Sequence, residues 1–503
     1  MKENRRDFLK KSGCALGMVA LSTQMRHFGM MSAMAQSVSE ENGAPSDYRA
    51  LVCIFMSGGN DSNNVVIPNH NDATISNYAA YAAARATQGL AIPQANLLPI
   101  SVPRIGGLTY GLHPSLGPQT INGTTIVNNG IHELWNTGAG LGKLAVVTNV
   151  GTLVMPTLKS QISQSSHPKP YQLYSHSDQV SQFQGGRSDQ QSFTGWGGRV
   201  SDLRTSPDNP SGLIPMITSI SGAQLFTAGQ TTLPLAVAAA PTGLNQVLNP
   251  QGFTTATNGT ARLAAFNTLR TQDLSSQVVA AASNVTNQAM LANANLQTFQ
   301  EVTATFPNSG LGNQLKQVAR IIKKRTDLSV NRQVFYVQIG GFDTHNNQQA
   351  ANGQVGLLIT LSQAMRAFHD EMVVQGLQDK VTMFTMSDFS RTFNPASSGA
   401  AVGSDHAWGG HHLVLGGGIT GSDFYGSLRP DGGGNYYPTL TFNGPDDADS
   451  GTGARGRWIP TSSVEQYAAT LARWYGLPDA NLPTVFPKIT NFPNTNLGFM
   501  GAP

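Results

Sequence analysis

The sequence predicts an α/β fold in which a doubly wound, mostly parallel sheet carries helices on both faces. Five short runs are apolar at nearly every position, and such runs are typical of strands that are buried on both faces. They cover residues 50–56, 143–150, 333–339, 380–386 and 412–415. A stretch with helical spacing of its apolar residues joins the third run to the fourth. This strand–helix–strand order is typical of parallel strands with a right-handed crossover.

The joining helix is predicted over residues 354–375. Apolar side chains recur there every three or four residues and so share one helix face; they are Val355, Leu358, Leu361, Met365, Phe368 and Met372. Residues 257–330 are rich in Ala, Asn, Gln and Thr and predict two or more amphipathic helices. Three stretches rich in Gly, Pro, Asn and Ser predict long loops over one end of the sheet; they are residues 65–130, 151–195 and 394–460.

The N-terminus has the three parts of a twin-arginine signal peptide. The pair Arg5-Arg6 precedes two apolar residues and a lysine, and a short apolar stretch follows. Residues 33–35, Ala-Met-Ala, suit a signal peptidase. We therefore expect residues 1–35 to be the signal peptide and residues 36–503 to form a single mature domain with loop-rich insertions. The alternative is a basic, amphipathic first helix of the mature fold.

A twin-arginine signal determines the route of the protein. The twin-arginine translocation machinery exports domains that have already folded, so we expect a periplasmic or secreted protein. The apolar stretch is too short to span a bilayer as a stable helix, and we expect no stable membrane span after cleavage.

The charge of the mature chain is close to zero. The full chain has 31 Lys and Arg against 28 Asp and Glu, and residues 1–35 hold six of the former and two of the latter. The mature chain therefore has 25 basic and 26 acidic residues, which gives no indication of a nucleic-acid partner or of an anionic membrane surface. Cys53 is the one cysteine of the mature chain, and it is expected to be a small buried core residue.

Aspartates directly follow three of the predicted strands. Asp61, Asp343 and Asp388 stand there, and His345 and His406 are close to them in sequence. Ligands of parallel sheets bind beyond the carboxyl ends of the strands. We therefore expect these side chains to lie at one end of the sheet.

Asp343 and His345 face the same way if the chain is extended, because they are two residues apart. A carboxylate with an imidazole is typical of zinc sites, and manganese or iron also accepts this pair. Other interpretations remain open: Asp343 is also suited to cap a helix or form a turn, and Asp388 to cap a helix or pair with Arg391.

Five elements together resemble the bacterial family called domain of unknown function 1501. They are the twin-arginine leader, SGGND at 57–61, GGFDTH at 340–345, SDFSRT at 387–392 and GSDHAWGG at 403–410. The elements occur in the family's order, and the resemblance covers most of the mature chain. That family is similar in fold to the alkaline phosphatase superfamily, which includes sulfatases and metal-dependent phosphomutases. The resemblance implies an alkaline phosphatase-like fold with one or two divalent metal ions, zinc being one candidate.

The resemblance also implies roles for individual residues. The implied metal ligands are Asp61, Asp343, His345, Asp388 and His406. Phe389 stands where the superfamily usually has a histidine for the second metal. The superfamily's nucleophile lies at a helix start after the first crossover, where Ser175 and Ser177 are the nearest candidates. Arg391 or Arg187 would hold the anion.

Two functions follow from these expectations. The leading hypothesis is an exported, metal-dependent hydrolase that acts on a small anionic phosphate or sulfate ester. The alternative is a secreted binding or assembly protein that keeps the fold and has lost the chemistry. The Asp and His residues at the strand ends favour the enzyme, whereas Phe389 favours the binding protein.

Overall fold

The computed structural model describes residues 47–121, 124–125, 130–136, 142–244, 257–296 and 301–501. The strands are β1 Arg49–Met56, β2 Val66–Pro68, β3 Leu98–Val102, β4 Leu108–Leu112, β5 Thr120–Ile121, β6 Thr124–Thr125, β7 Leu144–Gly151, β8 Ile217–Ser219, β9 Leu235–Ala236, β10 Arg332–Ile339, β11 Val381–Ser387, β12 Gly410–Gly416, β13 Phe424–Tyr425 and β14 Ser462–Ser463. The helices are α1 Tyr78–Arg85, α2 Lys159–Ile162, α3 His176–Gly185, α4 Trp196–Asp208, α5 Thr257–Arg270, α6 Gln277–Leu296, α7 Gly310–Lys323, α8 Gln354–Val374, α9 Val464–Tyr475 and α10 Leu482–Val485. The predicted signal peptide lies outside the described residues.

All five predicted strands belong to one central sheet. Its strand order is β13-β7-β12-β11-β1-β10-β8-β9, and β14 also pairs with β7. Strand β1 lies between β10 and β11 and is parallel to both, with Met56 opposite Ile339 on one side and Ser387 on the other. Strand β12 is antiparallel to both of its neighbours, β11 and β7. The fold is therefore mixed α/β with a mostly parallel sheet, as predicted.

Strand β1 is apolar at nearly every position because both of its faces are covered. Ala50, Val52, Ile54 and Met56 belong to a core cluster with residues of α7 and α8. Leu51, Cys53 and Phe55 belong to a second cluster with residues of α4 and α9. Alternate residues of a strand point to opposite faces, so the two clusters lie on the two sides of the sheet. Cys53 is buried there, as its surroundings in the sequence predicted.

The predicted helices are present. The helix expected at 354–375 is α8, and the stretch 257–330 contains α5, α6 and α7. Helix α9 begins with a capping box, in which the side chains of Ser463 and Gln466 each accept from the other's backbone N–H. No helix in the described part of the chain is both long and apolar enough to cross a membrane.

All three regions predicted as loops contain regular elements, and residues 394–460 include β12 and β13. Residues 65–130 include α1 and a small antiparallel sheet of order β2-β4-β3. Residues 151–195 include α2 and α3. The strands of the small sheet have three to five residues and contain Pro or Gly, so no clear periodicity marks them.

Candidate functional site

The carboxyl ends of β1, β10 and β11 meet at one end of the sheet, where a glycine turn follows β1. Gly58 has φ +116°, and a Cβ on it would lie 2.3 Å from the backbone nitrogen of Asp343. Only glycine allows so close an approach. The Gly58 N–H donates a 2.9 Å hydrogen bond to Oδ1 of Asp388. The turn thus ties the loops after all three strands together and brings Asp343 and Asp388 to the same end of the sheet, as predicted.

Four side chains converge above this turn. We call Asp343, His345, His406 and His176 the His–Asp centre. Oδ1 of Asp343 lies 3.0 Å from Nε2 of His345, 3.5 Å from Nε2 of His176 and 3.7 Å from Nε2 of His406. Nε2 of His406 lies 3.0 Å from the same atom of each other histidine. The structure therefore brings together the three residues that the sequence predicted at one site, and it adds His176.

Each histidine is oriented through its other ring nitrogen. The three acceptors are oxygen atoms, namely Asp388 Oδ2 at 2.7 Å from Nδ1 of His176, Asp405 Oδ1 at 3.1 Å from Nδ1 of His345, and the Tyr174 carbonyl at 2.9 Å from Nδ1 of His406. Carbonyl and carboxylate oxygens only accept, so Nδ1 of each ring carries the proton. In the neutral rings, Nε2 therefore presents a lone pair to the His–Asp centre.

This arrangement fits a divalent metal ion. Oδ1 of Asp343 and Nε2 of His406 lie 3.0–3.7 Å from each other and from Nε2 of both His176 and His345, and at such distances their lone pairs repel unless a cation lies between them. Ligands bound to one zinc ion at about 2.0–2.2 Å are themselves roughly 3–4 Å apart. The ligand atoms of His176, Asp343 and His406 all lie within 4.8 Å of one another. Three imidazoles and one carboxylate are a donor set that suits zinc, manganese or iron.

The surroundings of the His–Asp centre favour the metal-binding forms of Asp343 and His406. Burial opposes ionisation of Asp343, but the guanidinium of Arg391 outweighs it and holds the pKa of this carboxyl below its usual range. Burial, together with the positive charges nearby, lowers the pKa of His406. The hydrogen bond to Asp388 raises the pKa of His176. Asp343 is therefore ionised and His406 neutral at pH 7, whereas protonation of His176 competes with metal binding.

Arg391 is fully buried and uses its donors inside the protein. Its guanidinium donates to the backbone oxygens of Gly59 and Ser404, at 2.9 and 3.0 Å, and it forms an ion pair with Asp343. The structure thus pairs Arg391 with Asp343 rather than with Asp388. These bonds already engage the nitrogens of Arg391. Its contact with a substrate anion stays a prediction.

Asp61 lies in a different environment from the other predicted ligands. Its carboxylate forms an ion pair with Arg85, and both side chains are 0% exposed. It also accepts from Gln348, and from the backbone N–H of Asn63 as the cap of a short turn. Within the described part of the chain, no contact joins Asp61 to the His–Asp centre. Its position is that of a buried structural ion pair.

The candidate nucleophiles lie beside the His–Asp centre. Ser175 immediately precedes His176 at the start of α3, and its Oγ lies 2.6 Å from Oδ2 of Asp178. Oγ of Ser177 lies 3.3 Å from Oγ of Ser175 and 3.4 Å from the same Asp178 oxygen. The guanidinium of the fourth predicted catalytic residue, Arg187, instead pairs with Asp189 at 2.8 Å.

Residues 48–435 match the model of a family described as "Protein of unknown function (DUF1501)". The chain belongs to this family. All four residues of the His–Asp centre lie within the matched DUF1501 region. No curated protein matches the chain.

Solved structures show a weak likeness to alkaline phosphatase. The enzyme from the Antarctic bacterium TAB5 is 11% identical with a TM-score of 0.21, over 75% of this chain and 91% of that chain. A histidine-to-aspartate mutant of that enzyme with bound Mg is 8% identical with a TM-score of 0.20, over the same shares. At these TM-scores the likeness carries no functional argument.

Sequence reasoning on this DUF1501 protein missed His176 as a member of the centre. The residue stands between Ser175 and Ser177, in a stretch so polar that it predicted a loop. Its helix, α3, has few apolar residues and therefore no strong periodicity. Asp405 was missed as well, although it directly precedes His406. A search for every histidine near the predicted strand ends would not have found His176, because it is far from all of them in sequence.

Proposed function

We propose that this DUF1501 protein is a divalent-metal-dependent hydrolase of phosphate or sulfate esters. One observation carries the proposal: the Nε2 atoms of His176, His345 and His406 converge on Oδ1 of Asp343, and an acceptor fixes each ring from behind. Imidazole nitrogens that point their lone pairs at one carboxylate oxygen are typical of metal sites.

The neighbouring residues support hydrolysis. A divalent ion supplies polarisation of the ester oxygen and a lower pKa for an attacking hydroxyl. Ser175 lies next to His176 and donates to Asp178, so its lone pairs are left free to attack. Asp178 is ionised at neutral pH, because hydrogen bonds from Ser175 and Gln191 lower its pKa, and it can receive the hydroxyl proton. We propose Ser175 as the nucleophile.

The test measures metal and activity on the same samples. Wild type and Asp343→Ala are purified without chelator or histidine tag, and bound metals are quantified by mass spectrometry. Asp479→Ala is the matched control, because Asp479 is 74% exposed and pairs only with Arg473 among the described ion pairs. We expect stoichiometric metal in wild type and control, and little in Asp343→Ala.

Hydrolysis of aryl phosphate and aryl sulfate is then followed in all three proteins. Activity on either ester should follow the metal content. The proposal fails if wild type and Asp343→Ala carry equally little metal, or if full metal loading gives no hydrolysis of either ester.

A binding or assembly protein is the second candidate function. It is favoured by the way the two predicted anion-binding arginines are used, since Arg391 pairs with Asp343 and Arg187 with Asp189. A phosphate or sulfate group would have to compete with these carboxylates. The same measurement separates the candidates, because a protein that has lost the chemistry has little reason to retain a stoichiometric metal ion.

A further inference from the structure

We propose that the His–Asp centre holds one metal ion, and that the ring of Phe389 occupies the space beside Asp388 where a second ion would bind. The inference rests on the proposed metal dependence. It departs from the two-metal arrangement that the family resemblance allows. Three observations support it, concerning Asp388, Phe389 and Asp61 in turn.

Both oxygens of Asp388 already accept a hydrogen bond, so each has one lone pair left. Its Oδ2 accepts from Nδ1 of His176 at 2.7 Å, and its Oδ1 accepts from the Gly58 N–H at 2.9 Å. The side chain is 2% exposed. Carboxylates that accept from a metal-ligating histidine fix the ring and raise its basicity. Asp388 is therefore suited to position His176, and it would need a further ligand beside it to hold a second ion.

Phe389 fills the space next to this carboxylate. Its ring centroid lies 4.7 Å from that of His176 and 4.7 Å from that of His406, and the residue is 3% exposed. Gly59, with φ +84°, passes so close that a Cβ there would lie 2.5 Å from Cε2 of Phe389. A phenyl ring offers no lone pair to a metal, so the space is both filled and without ligands.

Asp61 is also unavailable to a second ion. Its carboxylate is bonded to Arg85, Gln348 and Asn63 in the interior. Release of this carboxylate would leave the Arg85 guanidinium buried without a partner, which is costly. Of the metal ligands that the sequence predicted, Asp343, His345 and His406 of the His–Asp centre remain, and with His176 they suffice for one ion. Phe389 contacts two of these rings and is thus a positioning residue.

The first experiment counts the ions. Untagged wild-type protein is stripped of metal and titrated with Co²⁺, and the visible absorption of the bound ion is followed. Bound cobalt is then measured by mass spectrometry after dialysis. We expect one Co²⁺ per chain in wild type and none in Asp343→Ala. Two ions per wild-type chain would overturn the inference and leave the proposed function standing, whereas none would overturn the proposed function itself.

The second experiment tests Phe389 directly. Phe389→His places ring nitrogens beside Asp388, whereas Phe389→Leu keeps an apolar side chain and adds no donor. We expect Phe389→His to bind a second Co²⁺ and Phe389→Leu to bind one. Circular dichroism of both variants confirms that the fold is retained. If folded Phe389→His still binds one ion, Phe389 is not what excludes the second.

Discussion

Each histidine of the His–Asp centre is oriented by a different acceptor. Two of these acceptors are carboxylates, whereas the acceptor for His406 is the backbone carbonyl of Tyr174. A backbone carbonyl is present at every position, so no sequence pattern identifies it. At the residue scale, the sequence could therefore predict which residue types meet at the strand ends. It could not predict how the rings are turned.

Replacing Asp61 tests whether this carboxylate is a metal ligand or only the partner of Arg85 in a buried ion pair. Asp61→Asn removes the charge partner of buried Arg85 and should lower the free energy of unfolding by about 3–5 kcal/mol. Metal content should not change, because Asp61 contacts no described residue of the His–Asp centre. Urea unfolding and metal analysis measure the two effects. Loss of metal from folded Asp61→Asn would instead make Asp61 a ligand.

The two serines provide a second residue-scale test. Ser175→Ala should lower kcat for an ester substrate by roughly 10³-fold or more, as loss of a nucleophile does. Ser177→Ala should keep most of the activity, because the Ser177 hydroxyl lies 3.4 Å from Asp178 and that of Ser175 lies 2.6 Å away. Both variants should bind metal as wild type does. Equal activities of the two variants would exclude Ser175 as the nucleophile.

At the scale of single elements, the hydrophobic pattern predicted the presence of each strand better than the direction in which the strand runs. All five predicted strands are present, but the antiparallel orientation of β12 was not foreseen. A continuous apolar run reports burial on both faces and is the same whichever way the strand points. Helix α3 was missed because its sequence is polar, and its first residue, His176, is a member of the His–Asp centre.

Helix α9 carries a buried acid whose ionisation should affect stability. Glu465 is fully buried in its first turn, and burial raises its pKa to about 7, although the N–H and hydroxyl of Ser188 donate to it. The unfolded chain releases this proton near the ordinary glutamate pKa of 4.5. Between these pH values the folded state binds more protons, so stability is present below pH 4.5 and is lost as pH rises through 7.

Glu465→Gln should remove this loss. Relative to the variant, wild type should lose on the order of 3 kcal/mol of unfolding free energy between about pH 4.5 and pH 8. Thermal unfolding of both proteins across that range measures the difference. A stability difference that does not change with pH would show that Glu465 is ionised in the folded protein throughout.

At the scale of the whole molecule, the His–Asp centre is assembled from three distant segments. His176 comes from α3, Asp343 and His345 follow β10, and His406 precedes β12. The sequence predicted the convergence of the last three because Asp343 and His345 follow one predicted strand and His406 lies in the loop between two others. It could not predict the position of His176. This residue lies in a long polar connection, and the way such a connection packs against the end of the sheet depends on tertiary contacts that no local sequence pattern encodes.

Export is a property of the whole molecule and stays a prediction, because residues 1–35 lie outside the described part of the chain. Replacing both Arg5 and Arg6 by Lys should leave precursor in the cytoplasm, since the translocation machinery reads the pair as an address. Cell fractionation with antibody detection measures the distribution. Wild-type amounts of the double variant outside the cytoplasm would exclude the twin-arginine route.

Helix α9 lies beyond the region that the family model matches, which ends at residue 435. It covers one face of the central sheet through residues such as Tyr467 and Leu471. Arg455, which also lies in the segment after residue 435, forms an ion pair with Asp405, the acceptor that orients His345. A chain shortened to residue 435 would keep every metal ligand and yet expose a broad apolar face, and we expect it to aggregate. Recombination between relatives would therefore have to exchange the C-terminal segment together with the matched region to yield a folded product.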